Sequence, residues 1–499
     1  MKIFTSILLF GVTLAVQPVW PQSLGSNVSL RTGSDQKQVI TALQKDLPLL
    51  MKEADLPGLS IALIRNSEVV WHQGFGVKDS KSKEPVGDNT VFEAASLSKP
   101  VFAYAVLQLV DSGKLDLDTP LQKYLPGDYD VGPDPRLGLI TARHVLSHTT
   151  GFPNWRQQSG LKIFFTPGEK FSYSGEGFVY LAKVVERITG EELNNFLRRT
   201  VFQPLQMSNS SFIWEAGYEQ LKTSRHNSMG EPTEQFKTTT PNAASTLHTT
   251  ALDYGRFVVA ILKGTGLKKE TLKQMLTTQV KVDESGSNMT NRPANKPSDA
   301  VSWGLGWGLQ NTRDGLSFWH WGDNGNAKAY IVAFNRQKLG AVVFANGDNG
   351  LSFMPELISR AVGGEQPALS WIKYESYKSP ARLLLKDIIA RGAEPALHDY
   401  SQSKRGRPAS DLVTASQMNR LGYTFLYGVK RPKDAIAVFK LNVEDYPQSS
   451  NTYDSLGEGY MVNGDKELAI KNYERSIELD PKNTNGVDQL KKLREGKKE

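Results

Sequence analysis

The chain has 499 residues, 39% of them hydrophobic and 22% charged, with a formal net charge of +7 and no cysteine. That length exceeds one ordinary core and predicts two domains, and the balance of residues excludes a disordered chain. The lack of cysteine excludes disulfides and a lipid anchor on an N-terminal thiol, and no nucleic-acid module accompanies the basic run at 491–498, which reads as a solvated helix end.

In chain order, residues 1–25 read as a secretory signal peptide: Lys2, an apolar core over 3–16 and a polar, proline-containing exit. The core is too short to span a bilayer comfortably, and no second stretch approaches that length. Export without disulfides suits a bacterial periplasm, so a periplasmic or secreted protein is expected. Residues 36–54 carry an amphipathic helical pattern that ends before Pro57. Residues 59–65 and 69–75 are strand-like, and the polar turn 66–68 makes them a hairpin.

Ser96-Leu-Ser-Lys99 follows. A serine three residues before a lysine recurs at Ser80/Lys83, Ser159/Lys162, Ser370/Lys373 and Ser401/Lys404. Only at Ser96 does a nearly all-apolar run follow, 101–110, closed by Asp111-Ser-Gly113. A run apolar on almost every side predicts a buried helix. Pro100 is tolerated only in its first turn, which puts Ser96 at the helix N-terminus with Lys99 on the same face. An amine and a helix dipole aimed at one hydroxyl can activate a weak nucleophile.

Residues 116–126 read as a capped turn and loop, and 141–205 as short helices broken by glycine and proline. Within them, Phe171-Ser-Tyr173-Ser-Gly175-Glu-Gly-Phe178 precedes a helical run. Its glycines predict a tight turn presenting the Tyr173 phenol. Beside Lys99 such a phenol is expected to lose its proton more readily and to pass protons to a leaving group. The polar stretch 266–299 reads as a surface excursion. Residues 304–309, 329–334 and 339–345 are expected strands, the last two a hairpin over 335–338. Phe318-Trp-His320-Trp321-Gly322-Asp323 stands before them, and its glycine would let a substrate approach the backbone closely. With strands at both ends and helices between, the expected fold is α+β: N- and C-terminal strands share one antiparallel sheet, flanked by helices and a helical lobe.

From about 379 the strands stop and a period of 34 appears, in the pairs Ala435/Ala469, Ile436/Ile470, Phe439/Tyr473 and Pro447/Pro481. The second unit follows the tetratricopeptide pattern nearly in full. Leu421-Gly422 in the first is shifted by one residue, which predicts an inter-helix loop one residue longer. Residues 387–400 read as a degenerate preceding unit. The expected division is a catalytic domain over 26–365, a linker over 366–384 and an all-α repeat domain over 385–499.

Ser96-x-x-Lys99, Tyr173-x-Gly175 and His320-x-Gly322, in that order, resemble the S-x-x-K, Y-x-N and [KH]-x-G signatures of the serine penicillin-recognising enzymes. That superfamily comprises class C β-lactamases, D-alanyl-D-alanine carboxypeptidases, D-aminopeptidases and family VIII esterases. Val145-Leu-Ser-His148-Thr-Thr-Gly-Phe-Pro153 and Gly304-Leu-Gly-Trp307 resemble accessory segments of the group. The resemblance covers about 34–362 and implies a β-lactamase/transpeptidase-like fold. It implies Ser96 as the acylated nucleophile and Lys99 with Tyr173 as shared base and acid. The backbone N–H groups of Ser96 and Asp323 would form the oxyanion hole, and Gly175, His320, Trp321 and Gly322 would contact substrate. Two departures stand out: Gly175 replaces the asparagine that holds a substrate amide, and His320-Trp321 replaces lysine-threonine. Charge recognition by His320 would weaken as it deprotonates near neutral pH.

These residues point to an exported serine hydrolase acting on D-amino peptides or β-lactams, with slow or absent cephalosporin turnover. A carboxylesterase of the same fold is the nearest alternative. A catalytically weak scaffold binding a protein through the repeats is another, disfavoured because Ser96, Lys99 and Tyr173 are all retained. A metal hydrolase built on His144/His148 lacks an accompanying acidic ligand pattern, so no metal or other cofactor is expected. The expected partners are a small-molecule or peptide substrate and a protein at the repeats, with no nucleic acid.

Overall fold

The computed structural model of the protein describes residues 28–495 apart from 128, 158, 159, 235, 236 and 295; the expected signal peptide lies outside the described residues. Asp35 accepts the Lys37 N–H at 2.7 Å and so caps the first helix. That helix, Gln36–Glu53, buries Val39, Leu43, Leu47 and Leu50, the face its periodicity predicts.

The strands are β1 (Gly58–Arg65), β2 (Glu68–Gly76), β3 (Phe92–Ala95), β4 (Arg225–His226), β5 (Pro232–Thr233), β6 (Leu247–Thr249), β7 (Val280–Asp283), β8 (Pro297–Trp303), β9 (Gly308–Thr312), β10 (Gly315–Asp323), β11 (Lys328–Phe334) and β12 (Leu339–Ala345). Asn66 and Ser67 both take positive φ, the geometry of a tight turn between twisted strands, and so close the β1–β2 hairpin. One antiparallel sheet runs β2-β1-β12-β11-β10-β9-β8-β7. Leu59 pairs with Ala345 and Ile64 with Gly340, so the first and last strands of the fold meet as expected.

Both faces of this sheet are covered, which is why β1, β11 and β12 are buried along their whole length. Ala62 and Ile64 face a core shared with the buried helix Ser98–Asp111, while Leu59, Ile61 and Leu63 face a second core under the first helix. The alternation is the period-2 pleat of a strand.

Two expectations are corrected. Residues 304–309 are not one strand: 304–307 turn between β8 and β9, and only Gly308 and Leu309 join the sheet. Gly306 takes φ +83 and a Cβ there would lie 2.3 Å from the Ala103 Cβ, so the turn is pressed against the helix that follows Ser96. The polar stretch 266–299 is not merely a surface excursion. It contributes the helix Lys269–Met275 and the edge strand β7, and its Ser287 carbonyl holds the Tyr173 N–H at 2.9 Å.

Residues 366–384 are packed rather than free, with Ala368, Leu369, Trp371 and Tyr377 in the second core. Beyond them, helices Pro380–Arg391, Ala393–Ser403, Ala415–Tyr423, Pro432–Asp445, Ser450–Asn463, Lys466–Leu479 and Thr484–Glu495 build a separate core. Gly457 lets the Tyr473 ring approach, with 3.2 Å from its built Cβ to the ring, and Gly422 does the same for Phe439. The inter-helix loop of the first unit, 429–431, is one residue longer than that of the second, 464–465, as expected. The first helix of that unit ends in a π-helical turn, Thr424–Gly428. Among the described residues no helix is long and apolar enough to cross a membrane.

Candidate active site

β3 ends at Ala95, whose φ of +49 is left-handed, and the chain turns through Ser96 and Leu97 into the helix at Ser98. Ser96 therefore stands just before the helix, its carbonyl accepting the Lys99 N–H at 3.1 Å. Three bonds fix the turn: Ser98 Oγ donates to the Ala95 carbonyl at 2.6 Å, Leu247 N–H donates to Ser98 Oγ at 2.9 Å, and Tyr254 Oη donates to the Leu97 carbonyl at 3.0 Å. From Thr90 to Leu107 every residue except Ser96 is buried. An over-determined, strained turn that exposes one hydroxyl is what nucleophile presentation requires.

Lys99 has no exposed surface. Its Nζ lies 3.1 Å from Ser96 Oγ and donates to the Ala244 carbonyl at 2.8 Å. Burial holds the amine well below the usual lysine range. A neutral amine that spends one N–H on Ala244 still has a lone pair for the Ser96 proton.

The Tyr173 ring lies 4.7 Å from Lys99 Nζ, so the distant loop does reach the pair. Here the expectation of an easily ionised phenol is reversed. Burial pushes Tyr173 above the ordinary phenol value, and the nearby Ser96 hydroxyl offsets that only in part. Tyr173 Oη has no hydrogen-bond partner of normal geometry. It thus stays protonated and is placed to donate, while Lys99 is the group able to accept. His148 supports the ring from beneath, stacked at 4.2 Å and 28°. Ser174 N–H donates to His148 Nδ1 at 3.0 Å, which fixes the neutral tautomer with its proton on Nε2. Burial above all holds His148 well below the ordinary imidazole value, so it stays neutral.

The expected turn around Gly175 is not a turn. Ser174 caps a helix, Gly175–Thr189, by accepting the Gly177 N–H at 3.1 Å. Gly175 is required for a different reason: a Cβ there would meet the Trp155 ring at 2.8 Å and the Asn154 carbonyl at 2.9 Å. Trp155, 43% exposed and 6.0 Å from Lys99 Nζ, packs against this position and leaves no room for an asparagine side chain.

β9 pairs only with residues 315–319 of β10, so 320–323 run on beside the Ser96 turn. A Cβ on Gly322 would lie 2.4 Å from the Ala94 carbonyl, so this glycine seats β10 against the segment that carries Ser96. Asn324 N–H donates to the Ala327 carbonyl at 3.1 Å, and the register pairs Asp323 with Lys328. By the alternation of an antiparallel ladder, the Asp323 N–H then points away from β11, out of the sheet. Trp321 is nearly buried, its ring 4.9 Å from that of Tyr173. His320 does not meet its expected role. It is fully buried, donates from Nδ1 to the Trp321 carbonyl at 2.7 Å, and is pushed down to about 3 by burial and by Lys99. It is a neutral wall residue throughout the physiological range rather than a cation that fades near pH 7.

His144 and His148 do not converge: His144 Nδ1 turns to the Leu139 carbonyl at 3.1 Å, while His148 lies under Tyr173. Sequence reasoning missed the Ala244 carbonyl, which only chain folding brings to Lys99, and the packing of Trp155, for which Gly175 was the available signal.

The family description Beta-lactamase matches residues 42–362. Penicillin-binding protein 4* of Bacillus subtilis (strain 168) is 29% identical over 173 residues, 30% of this chain and 37% of that protein. Esterase EstB of Burkholderia gladioli is 29% identical over 211 residues, 36% of this chain and 53% of that protein. The matched segments thus span about half or less of these relatives. The solved D-alanine carboxypeptidase AmpC from Burkholderia cenocepacia superposes with a TM-score of 0.55 at 17% identity, covering 66% of this chain and 99% of that one, a likeness of fold.

Proposed function

The chain belongs to the Beta-lactamase family, and on that premise we propose that it is an exported serine hydrolase working through an acyl-Ser96 intermediate and preferring esters of uncharged acids. The observation that carries the reading is the fully buried Lys99 amine 3.1 Å from the exposed-side hydroxyl of Ser96. Lys99 Nζ takes the hydroxyl proton as Oγ bonds to the carbonyl carbon. The displaced electron pair rests on the carbonyl oxygen, facing the N–H groups of Ser96 and Asp323. Collapse breaks the bond to the alcohol, which leaves with a proton supplied through Tyr173 and Lys99. Water then repeats the cycle, releasing the acid and restoring Ser96.

The preference for uncharged acids rests on the neutral, enclosed His320 and on Trp155 packed over Gly175. The first removes the expected cation for a substrate carboxylate, and the second the side chain that would hold an amide. Esterase EstB among the relatives agrees with this preference. D-amino peptides and β-lactams form the second reading, favoured by the likeness to penicillin-binding protein 4*. In this proposal residues 1–25 direct export to the periplasm or medium, and 385–499 are tetratricopeptide repeats available to a protein partner.

The test is to incubate the full chain with p-nitrophenyl butyrate and with a fluorescent penicillin, to read product release and the mass of tryptic peptides, and to follow hydrolysis of a cephalosporin separately. Ester turnover with a butyryl adduct confined to Ser96 is expected, together with slow or absent cephalosporin hydrolysis. An adduct elsewhere, or no reaction with either reagent, overturns the serine-hydrolase reading. Penicillin labelling without ester turnover overturns the esterase preference.

A further inference from the structure

Tyr374 lies outside the matched family region, in the segment expected to be a linker, and it reaches the end of β10. Its Oη donates to Asp323 Oδ2. The other carboxylate oxygen accepts Lys328 Nζ at 2.7 Å and the Gly325 N–H at 2.8 Å. Lys328 Nζ also pairs with Asp348 at 3.2 Å and sits 5.6 Å from the Tyr374 ring centroid. Burial and the Asp323 charge keep the Tyr374 phenol protonated. The carboxylate of Asp323 is therefore tied on both oxygens, and with it the peptide whose N–H leaves the sheet.

The neighbouring residue faces the other way. Glu375 accepts from Gln417 Nε2 at 2.7 Å and lies 4.0 Å from Arg420, both on the helix Ala415–Tyr423. The same helical part is docked by Lys386, 2.9 Å from Asp55, and by Arg382, which donates to the Ser228 carbonyl at 3.3 Å. Two adjacent residues of one short segment thus join the C-terminal helices to the oxyanion strand.

We propose that Tyr374 is a positioning residue for the Asp323 N–H, and that the C-terminal helices hold it there through Glu375, so that turnover at Ser96 depends on their docked position. This rests on the acyl-Ser96 reading. A donor set in advance is worth more to a developing oxyanion than one that must be reoriented during the reaction. A partner that pulls the Ala415–Tyr423 helix from Glu375 would lower kcat without touching the cleft.

The test uses the full chain as Tyr374→Phe, Gln417→Ala and the double variant, with p-nitrophenyl butyrate kinetics and amide hydrogen exchange of peptides over 319–327. Tyr374→Phe is expected to lower kcat about 30-fold with KM within about twofold, less than the ~100-fold or more lost with an oxyanion donor itself. Gln417→Ala, which contacts nothing in the cleft, is expected to lower kcat about fivefold. The double variant should be no slower than Tyr374→Phe, because the two act in series. Exchange over 319–327 should quicken in both single variants. Unchanged kcat in Tyr374→Phe, or a fall in KM-controlled binding alone, overturns the positioning role, and additive losses overturn the link to the helices. If the wild-type chain neither turns over the ester nor is labelled by penicillin, the hydrolase reading fails, and exchange still decides: unaltered exchange in Tyr374→Phe and Gln417→Ala overturns this proposal as well.

Discussion

Ser96→Ala and Lys99→Met are each expected to lower kcat/KM for p-nitrophenyl butyrate by about a thousandfold or more, the scale at which members of a nucleophile–base unit fail singly. Methionine keeps most of the buried volume of Lys99 and removes only the lone pair aimed at Ser96 Oγ from 3.1 Å. Burying an amine disfavours the folded state, so Lys99→Met should melt no lower than the parent chain, which separates lost chemistry from lost structure. The pH profile carries the sign. Burial lowers the Lys99 pKa, and the reactive form is the unprotonated amine. Turnover should therefore climb as pH rises through that lowered value and level off once the amine is neutral. The acid limb should be missing from the residual activity of Lys99→Met. More than a tenth of parent activity in Lys99→Met would remove the lysine from the role of base.

Gly322→Val is expected to cost at least a hundredfold in kcat. The new Cβ would lie 2.4 Å from the Ala94 carbonyl and 3.2 Å from the Ala95 Cβ, so β10 and the Ser96 turn cannot keep their present separation. A displacement of about 1 Å between a nucleophile and an oxyanion donor is enough for a loss of that size. Gly322→Ala makes the same clash with less bulk and should show the same loss in smaller measure, with circular dichroism unchanged. Either variant within tenfold of the parent rate would mean that β10 does not supply the oxyanion donor.

The sheet was legible because strand periodicity is local: 59–65, 69–75, 329–334 and 339–345 each carry their own pattern, and each lies within an observed strand. The burial of the helix after Ser96 was legible for the same reason. The role of 304–309 was not, since its glycines and apolar residues fit a strand equally well and only the contact with Ala103 makes them a turn. The one-residue offset of the first helical unit was legible too, and it falls in the loop 429–431, but the π-turn that ends the preceding helix carries no local signal.

The sequence by itself determined the strands, the buried helix, the 34-residue period and the three short motifs, because each is written in residues a few positions apart. Tertiary structure alone decided the protonation of the site. His320 reads as a candidate cation until burial pushes it to about 3, and Tyr173 as a ready acid until burial pushes it the opposite way. The cost of charging a group depends on how much water and which neighbours surround it, and for these residues the neighbours come from β8, β10 and the helix after Ser96.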